Sequence, residues 1–392
     1  MGSTQVGIVR DLAKYPPQDP SAKKDLYNAA LELLYSVESA QDTAQRLYHG
    51  HVPLAMAQTG IDLNLFNILA EQQDREWTLE QLAEKTKAEP ALLYRVLRCL
   101  NAYGMVTQTK DNTFTASNIT KNLALPSTHA GIKHYSLTMT PAYNAIPKYL
   151  AKTGYKNPTD SAPFNLAYNT DLPVFEWRKH NPENAKAGQA FMAAQRIGQR
   201  SIWDGRVPVS DLQLSEKDVA DGRVMFCDVG GGMGHQCLDL RKYHPELKGK
   251  MVTEDLPLAQ DMIPNREEMK KLDIEPIPHD FMKEQPTKNA KVYYLRNVIH
   301  NWNDEPSKVI LSSVRKAMAD DSVVIIDDVL MPTIGATWKQ ASMDMAMMTM
   351  LAAMERTKEH FEKLLADSGL KLREVHVYDE EYGDSLIVAV PA

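Results

Sequence analysis

Cysteine is scarce. Cys99, Cys227 and Cys237 are the three in 392 residues, too few and too scattered for a disulfide framework or a zinc site. No stretch comes near the roughly eighteen consecutive apolar residues of a membrane-spanning helix. Met1 to Gln18 mixes Arg, Lys, Asp and Pro without the apolar core of a secretory signal. A basic surplus is missing too, since the net charge is −7, which argues against a nucleic-acid partner because phosphates need a basic surface. These absences lead to the expectation of a reducing, cytoplasmic compartment. What remains, 43% hydrophobic and 24% charged residues, is the composition of a soluble globular protein. The length suffices for two domains with a substantial core.

The most informative stretch is Val224 to Gly234, Val-Met-Phe-Cys-Asp-Val-Gly-Gly-Gly-Met-Gly. An apolar run ending in an acid and a cluster of glycines predicts a buried parallel strand, a tight turn and a helix over His235 to Tyr243. Glycine is needed where a ligand approaches the backbone without a Cβ in the way. The dinucleotide fingerprint would put its third glycine at His235, so Gly230, Gly232 and Gly234 give G-x-G-x-G instead. That spacing suits a nucleoside without a pyrophosphate; a purely structural turn is the competing reading.

Two further strands end in acids. Lys250-Met-Val-Thr-Glu-Asp255 brings Asp255 to a position where a carboxylate can accept from both ribose hydroxyls. Ile274 to Pro278 ends at His279-Asp280-Phe281, where Asp280 can take an adenine amino group and Phe281 can lie along the ring. Ligands of open α/β sheets sit outside the carboxyl ends of the strands, so three such ends describe one nucleoside pocket.

With Asp228-Val-Gly-Gly-Gly, Glu254-Asp-Leu-Pro257, Leu295-Arg-Asn-Val-Ile-His-Asn-Trp302 and Glu355-Arg-Thr357 in this order, nearly the whole chain resembles the class I S-adenosylmethionine-dependent O-methyltransferases. That family includes plant caffeate-type and fungal secondary-metabolite enzymes. The resemblance implies an α/β fold: a Rossmann-like methyltransferase sheet with an N-terminal all-α and winged-helix dimerisation domain. It also implies S-adenosyl-L-methionine as cofactor. We expect residues 1–120 to form the dimerisation domain, 121–206 a helical bridge and substrate-pocket region, and 207–392 the catalytic domain.

In the first region, apolar residues recur at helical spacing from Asp25 to Ala57, with Thr59-Gly60 expected to end it. Leu63 to Glu71 reads as a short helix, Thr78-Leu-Glu-Gln81 as a capping box, and Pro90 as the first residue of a helix to Tyr103. Met105 to Ala116 reads as a hairpin. The helices and hairpin make a winged helix, but Arg95 and Arg98 beside an apolar face are too little for DNA. The apolar helices before it favour a subunit interface, hence a homodimer. Arg206 to Asp221, largely polar, is expected to be a linker.

The chemistry converges on His300. Lys291 to Asn297 is the fourth strand, and His300 follows in a strand-end loop before a helix from Asn303 or Asp304. O-methylation needs a base for the acceptor hydroxyl, and a histidine of ordinary pKa is neutral near pH 7. By resemblance, Asp328 and Glu355 are the acids that could hold its ring, and Arg296 stands where plant relatives have a cofactor-contacting lysine. Aspartate at 328 departs from the family's usual glutamate, and Asn301 from the aspartate that usually follows the base. The thioethers of Met343, Met347, Met350 and Met354, expected on one helical face, read either as plain core or as a wall for a flat acceptor. Leu351, where some plant relatives have a polar contact, points to an apolar acceptor. Candidate acceptor contacts are His134, Met192, Gln195, Met347 and Leu351. The main expectation is transfer to a hydroxyl of an aromatic or heteroaromatic secondary metabolite, a small molecule of polyketide or alkaloid type. The runner-up, also known within the family, keeps the cofactor unconsumed and uses its charge with Arg296 and His134 for a dehydration or pericyclic step. A third reading, a winged-helix regulator sensing the cofactor, is disfavoured by the acidic charge.

Overall fold

In the computed structural model of the protein, which describes residues 2–72, 74–194, 201–261, 263–264 and 266–392, contacts divide the chain into Met1–Leu125 and Pro126–Ala392. The helices foreseen as a bridge therefore belong, from Pro126 on, to the C-terminal unit.

The N-terminal unit opens with a helix over Gly2–Lys14 that periodicity did not suggest, followed by Pro20–Val37, Ala40–Tyr48 and Val52–Asp62. Asp19 caps the second through Ala22 N–H, and a Ser39/Asp42 capping box starts the third. Pro20–Val37 and Ala40–Tyr48 contain no buried residue, and Leu34, Tyr35, Val37, Leu47 and Tyr48 are exposed. Thr59-Gly60 does not end the helical region. Gly60 is buried inside the Val52–Asp62 helix, where a Cβ would lie 2.6 Å from the Phe66 ring, so the glycine serves close packing rather than a turn. The Thr78/Gln81 capping box is formed and opens a helix over Leu79–Thr86. Pro90–Ala102 follows, capped by Glu89. Strands β1 (Trp77–Thr78), β2 (Val106–Lys110) and β3 (Thr113–Ala116) form an antiparallel sheet in the order β1-β3-β2, completing the winged helix.

The C-terminal unit is built on β4 (Val224–Val229), β5 (Lys250–Asp255), β6 (Ile274–Pro278), β7 (Val292–Arg296), β8 (Val323–Met331), β9 (Arg356–Thr357), β10 (Leu370–Asp379) and β11 (Asp384–Pro391). The strand order is β10-β11-β8-β7-β4-β5-β6, with β9 beside β8. Strands β6 to β8 of that path run parallel, and β11 and β10 are antiparallel. The order reverses at β4, so its carboxyl end lies at the topological switch point.

Alternation along the strands sends side chains to two cores. Cys227, Val229, Leu295 and Ile326 face one with Ile310 and Phe361; Phe226, Tyr294 and Ile325 face the other with Leu240 and Met251. Trp203, Val207 and Leu212 are buried in the second core, and Glu216–Ala220 is helical. Residues 206–221 are thus part of the catalytic body, not a linker; their few apolar side chains are spaced to plug one face of the sheet.

A third cluster joins helices Thr140–Lys152, Pro163–Tyr168 and Val174–Lys179 to Trp338–Leu351. It contains Met139, Phe164, Trp177 and Met350, with Tyr135, Tyr143, Met343, Met347 and Leu351 partly buried against it.

Candidate active site

The glycine-rich turn after β4 is tightly packed at three positions and open at one. A Cβ on Gly230 would meet Val298 at 2.8 Å, on Gly231 Asp228 and Thr253 at 2.5 Å, and on Gly234 Met269 closer still. Gly232, with φ +58, has nothing within 4 Å of that position. Its N–H donates to Asp255 Oδ2 at 2.8 Å, and Leu256 N–H donates to Oδ1 at 2.7 Å. Asp255 therefore closes β5 onto the turn; burial raises its pKa, against the lowering effect of these two bonds. A carboxylate can accept about four hydrogen bonds, which leaves capacity for a diol. Gly230 and Gly231 N–H both reach the Glu254 carbonyl, while the Glu254 side chain is tied down by Gln285 at 2.6 Å and by Thr287.

Asp280 and Phe281 complete this side. Asp280 Oδ1 accepts from Met282 N–H at 3.0 Å, an Asx turn, and both residues are half-buried. The Phe281 ring lies 3.6 Å from the Gly230 Cβ position and edge-to-face with Trp302 at 6.1 Å. Thr253 Oγ1 and His279 Nε2 are buried without a partner. The open glycine, the acid beside it and these polar atoms fit a nucleoside bound across β4, β5 and β6.

His300 sits in a single turn over Ile299–Asn301, fixed from three sides. Its Nδ1 is 2.9 Å from Glu355 Oε1, and its backbone N–H donates to Asp328 Oδ2 at 3.0 Å. The two acids expected to compete for the ring thus divide the work: Glu355 orients the imidazole and Asp328 holds the main chain. Among the described residues nothing engages Nε2. Burial pulls the His300 pKa down, but Glu355 and then Asp328 outweigh it and push it up to about 9. That corrects the expectation of a histidine neutral near pH 7. Burial raises Asp328 to about 7 against the lowering effect of His300.

Sequence reasoning quoted Arg356 without giving it a role. It is 1% exposed. Nη1 donates to Ile299 O at 3.1 Å and Nη2 to Trp302 O at 2.7 Å, carbonyls that flank His300. Nε and Nη2 also reach Asp304 Oδ1 at 3.1 and 3.0 Å, and His360 Nε2 is 2.8 Å from Asp304 Oδ2. An arginine next to the orienting acid was the available signal. Asn301 Nδ2 donates to Asn297 O at 2.6 Å. The family's aspartate could not donate there, so this departure reinforces the loop.

Arg296 is not a free positive charge. Nη1 lies 3.1 Å from Asp327 Oδ2, Tyr378 Oη is 2.6 Å from Oδ1, and Tyr294 Oη reaches the same carboxylate. Its Nε is buried without a partner.

On the acceptor side, the Thr337/Gln340 capping box starts the Trp338–Leu351 helix, and Ala352, at φ 53, ends it. Met354 lies beyond that end, so the four-methionine face is shorter than expected; Met343, Met347 and Leu351 line the aromatic cluster with Met350 behind them. Asp344 of this helix accepts from Glu355 N–H at 2.9 Å, coupling the thioether wall to the residue that orients His300. His134, 4% exposed, is stacked on Phe191 at 5.1 Å. Met192 is 53% exposed on Pro182–Ala194, and Gln195 lies outside the described residues.

A parallel sheet with a glycine cradle at its switch point, and a carboxylate-held histidine at the next strand end, define a nucleoside-cofactor transferase site. Residues 156–371 match the O-methyltransferase domain and residues 45–124 the O-methyltransferase dimerisation domain. The chain belongs to the O-methyltransferase family. Demethylsterigmatocystin 6-O-methyltransferase of Aspergillus parasiticus is 32% identical over 96% of this chain and 95% of its own length. O-methyltransferase lepI of Aspergillus flavus is 31% identical over 95% and 94%. Among solved structures, LepI in complex with SAH (S-adenosylhomocysteine) and a substrate analogue superposes with TM-score 0.90 at 29% identity, with 100% of both chains covered. One described as a pericyclic reaction enzyme gives 0.88 at 29%, covering 100% and 99%.

Proposed function

We propose that the protein is an S-adenosylmethionine-dependent O-methyltransferase acting on a hydroxyl of an aromatic or heteroaromatic secondary metabolite, with His300 as general base. The observation that carries this is the His300 imidazole held by Glu355 at 2.9 Å, with no partner on Nε2 among the described residues, together with a glycine-rich turn open at Gly232. Gly230, Gly232, Asp255, Asp280 and Phe281 hold the nucleoside; Arg296, anchored by Asp327, borders it. The bound sulfonium supplies an electrophilic methyl. His300 Nε2 would take the acceptor proton as the hydroxyl oxygen accepts that methyl. Glu355 and Asp328 stabilise the imidazolium so formed. With His300 near 9 and a phenol near 10, the transfer itself is close to balanced, but the imidazole is largely protonated near pH 7, so turnover is expected to climb toward alkaline pH.

In this reading residues 1–120 mediate homodimer formation, 121–206 shape the acceptor pocket and 207–392 bind cofactor and catalyse. The exposed apolar faces of Pro20–Val37 and Ala40–Tyr48 support the dimer. Among the described residues no helix is long and apolar enough to cross a membrane. A second reading draws on the pericyclic reaction enzyme of the same fold: the cofactor stays intact and its charge, with Arg296 and His134, promotes a dehydration or pericyclic step. Mass spectrometry separates the two. Methyl transfer yields one S-adenosylhomocysteine per product, and His300→Ala lowers kcat by about a hundredfold to ten-thousandfold. Product without S-adenosylhomocysteine would overturn it.

A further inference from the structure

Arg178, on the Val174–Lys179 helix, carries a partly buried guanidinium that no acid among the described residues compensates, with the Phe175 ring centroid 5.8 Å from its Cζ. Its Nε is buried without a hydrogen-bond partner, and burial alone acts on its pKa, pulling it down. The neighbouring acids are engaged elsewhere, Glu176 with Lys179 at 2.6 Å and Glu183 with Lys133 at 3.5 Å. The chain makes room for the group: Gly188 lies so close that a Cβ there would sit 3.2 Å from Arg178 Cζ. His134, nine-tenths buried and more, also leaves its Nδ1 without a partner. Taking even part of a guanidinium out of water is unfavourable unless charge and hydrogen bonds compensate it, so one without an acid, near enough to act on a second orphaned polar group, is a site lacking its ligand.

The surroundings connect this pair to the acceptor wall. His134 stacks on Phe191 at 5.1 Å, and Tyr135 meets both rings edge-on at 6.0 and 5.7 Å. Tyr135 and Tyr143, like Leu351, pack against the cluster that contains Met350. The backbone is specialised here as well. Tyr135–Met139 is a π-helical turn, with Thr140 N–H reaching back to Tyr135 O, and Tyr168 and Asn184 satisfy carbonyls of that turn at Leu137 and Thr138. Such turns are retained where they aim side chains at a site.

We propose that Arg178 and His134 form a receptor for an anionic oxygen of the acceptor, a carboxylate or acidic enol, set apart from the hydroxyl that faces His300. A guanidinium fork matches a two-oxygen anion, and His134, lowered to about 4 by burial and then by Arg178, is uncharged near neutrality and contributes a hydrogen bond. The site therefore selects acceptors carrying one acidic group and rejects their neutral isosteres. This rests on the acceptor-side placement made above, and its test reads binding independently of methyl transfer.

The test is calorimetry on the full chain with two acid and amide pairs, salicylate with salicylamide and 1-hydroxy-2-naphthoate with its amide, with and without saturating S-adenosylhomocysteine. At least one acid should bind about tenfold or more tighter than its amide, since hydrogen bonds to charged groups outweigh neutral ones. Arg178→Met should abolish that preference with S-adenosylhomocysteine affinity unchanged. It should also melt at or above the wild-type temperature, because an uncompensated buried charge has been removed. Equal binding of acids and amides, a preference surviving in Arg178→Met, or a lower melting temperature of that variant overturns the receptor. Failure to bind S-adenosylhomocysteine strikes the cofactor reading instead and leaves the acid preference to be read from the titrations without it.

Discussion

The two sides of the site are finished to different degrees. Around His300 the ring is held by Glu355, the backbone N–H by Asp328 and the flanking carbonyls by Arg356. On the acceptor side Arg178 Nε, His134 Nδ1 and Ser136 Oγ are buried without partners, whereas Glu355 Oε2 and Asp328 Oδ1, also unpartnered, belong to carboxylates whose other oxygen is bonded, and thioethers replace rigid walls at Met343 and Met347. The difference follows from what each must do. A base contributes only when its geometry is fixed before the substrate arrives, whereas groups that recognise a ligand keep hydrogen-bonding capacity for it. The anchored side should therefore fail through stability and proton transfer, the open side through binding.

The largest effect expected on this contrast comes from Arg356→Met. The side chain is 1% exposed and joins Ile299 O, Trp302 O, Ser307 Oγ and Asp304. Its loss leaves two carbonyls without their donor and takes one of the two partners of half-exposed Asp304, which keeps His360, a cost of about 3 kcal/mol for breaking a largely buried pair. Denaturant unfolding should show it, with kcat falling further than the folded fraction accounts for. Unchanged stability would mean that the loop around His300 holds itself.

Much of the catalytic sheet was legible because each strand end carried its own punctuation. Strands β5 and β6 and the His235–Tyr243 helix span the residues their patterns indicated, since apolar runs bounded by acids and glycine leave little freedom of register. What failed was information that exists only in three dimensions. Gly60 reads as a breaker until Phe66 is seen against it. Residues 206–221 read as a linker because Val207 and Leu212 are too sparse to show periodicity. Nothing in the sequence distinguishes the acid that holds a ring from the acid that holds a backbone, so Glu355 and Asp328 could be paired with His300 but not told apart. The guanidinium of Arg178 is likewise invisible as a site, because its meaning lies in the partner it lacks.

On the cofactor side, Asp255→Ala should weaken S-adenosylhomocysteine binding by about a hundredfold, close to 3 kcal/mol. The two ribose hydrogen bonds proposed for the carboxylate would go with it, and so would the tie to Gly232 N–H at 2.8 Å that shapes the turn. Asp255→Asn retains an acceptor oxygen and should recover part of the loss. Equal affinity of wild type and Asp255→Ala, measured by calorimetry, would remove the residue from the site.

The smallest effect is the most specific. A base must be unprotonated, so kcat/KM of the wild type should rise with pH through the His300 pKa, about 9. Glu355 is the largest of the influences that raise that value against burial. Glu355→Gln keeps an oxygen near Nδ1 but removes the charge, so the imidazolium is less favoured and the pKa falls. The acid limb of the profile should then move to lower pH by about one to two units, each worth about 1.4 kcal/mol, while the plateau also drops because the imidazolium formed in the reaction is less stabilised. Asp328→Asn should move the limb the same way by less, since Asp328 raises His300 less than Glu355 does. A limb that stays in place in Glu355→Gln would show that the titrating base is some other group and that the 2.9 Å contact between Nδ1 and Glu355 serves only to pack the loop.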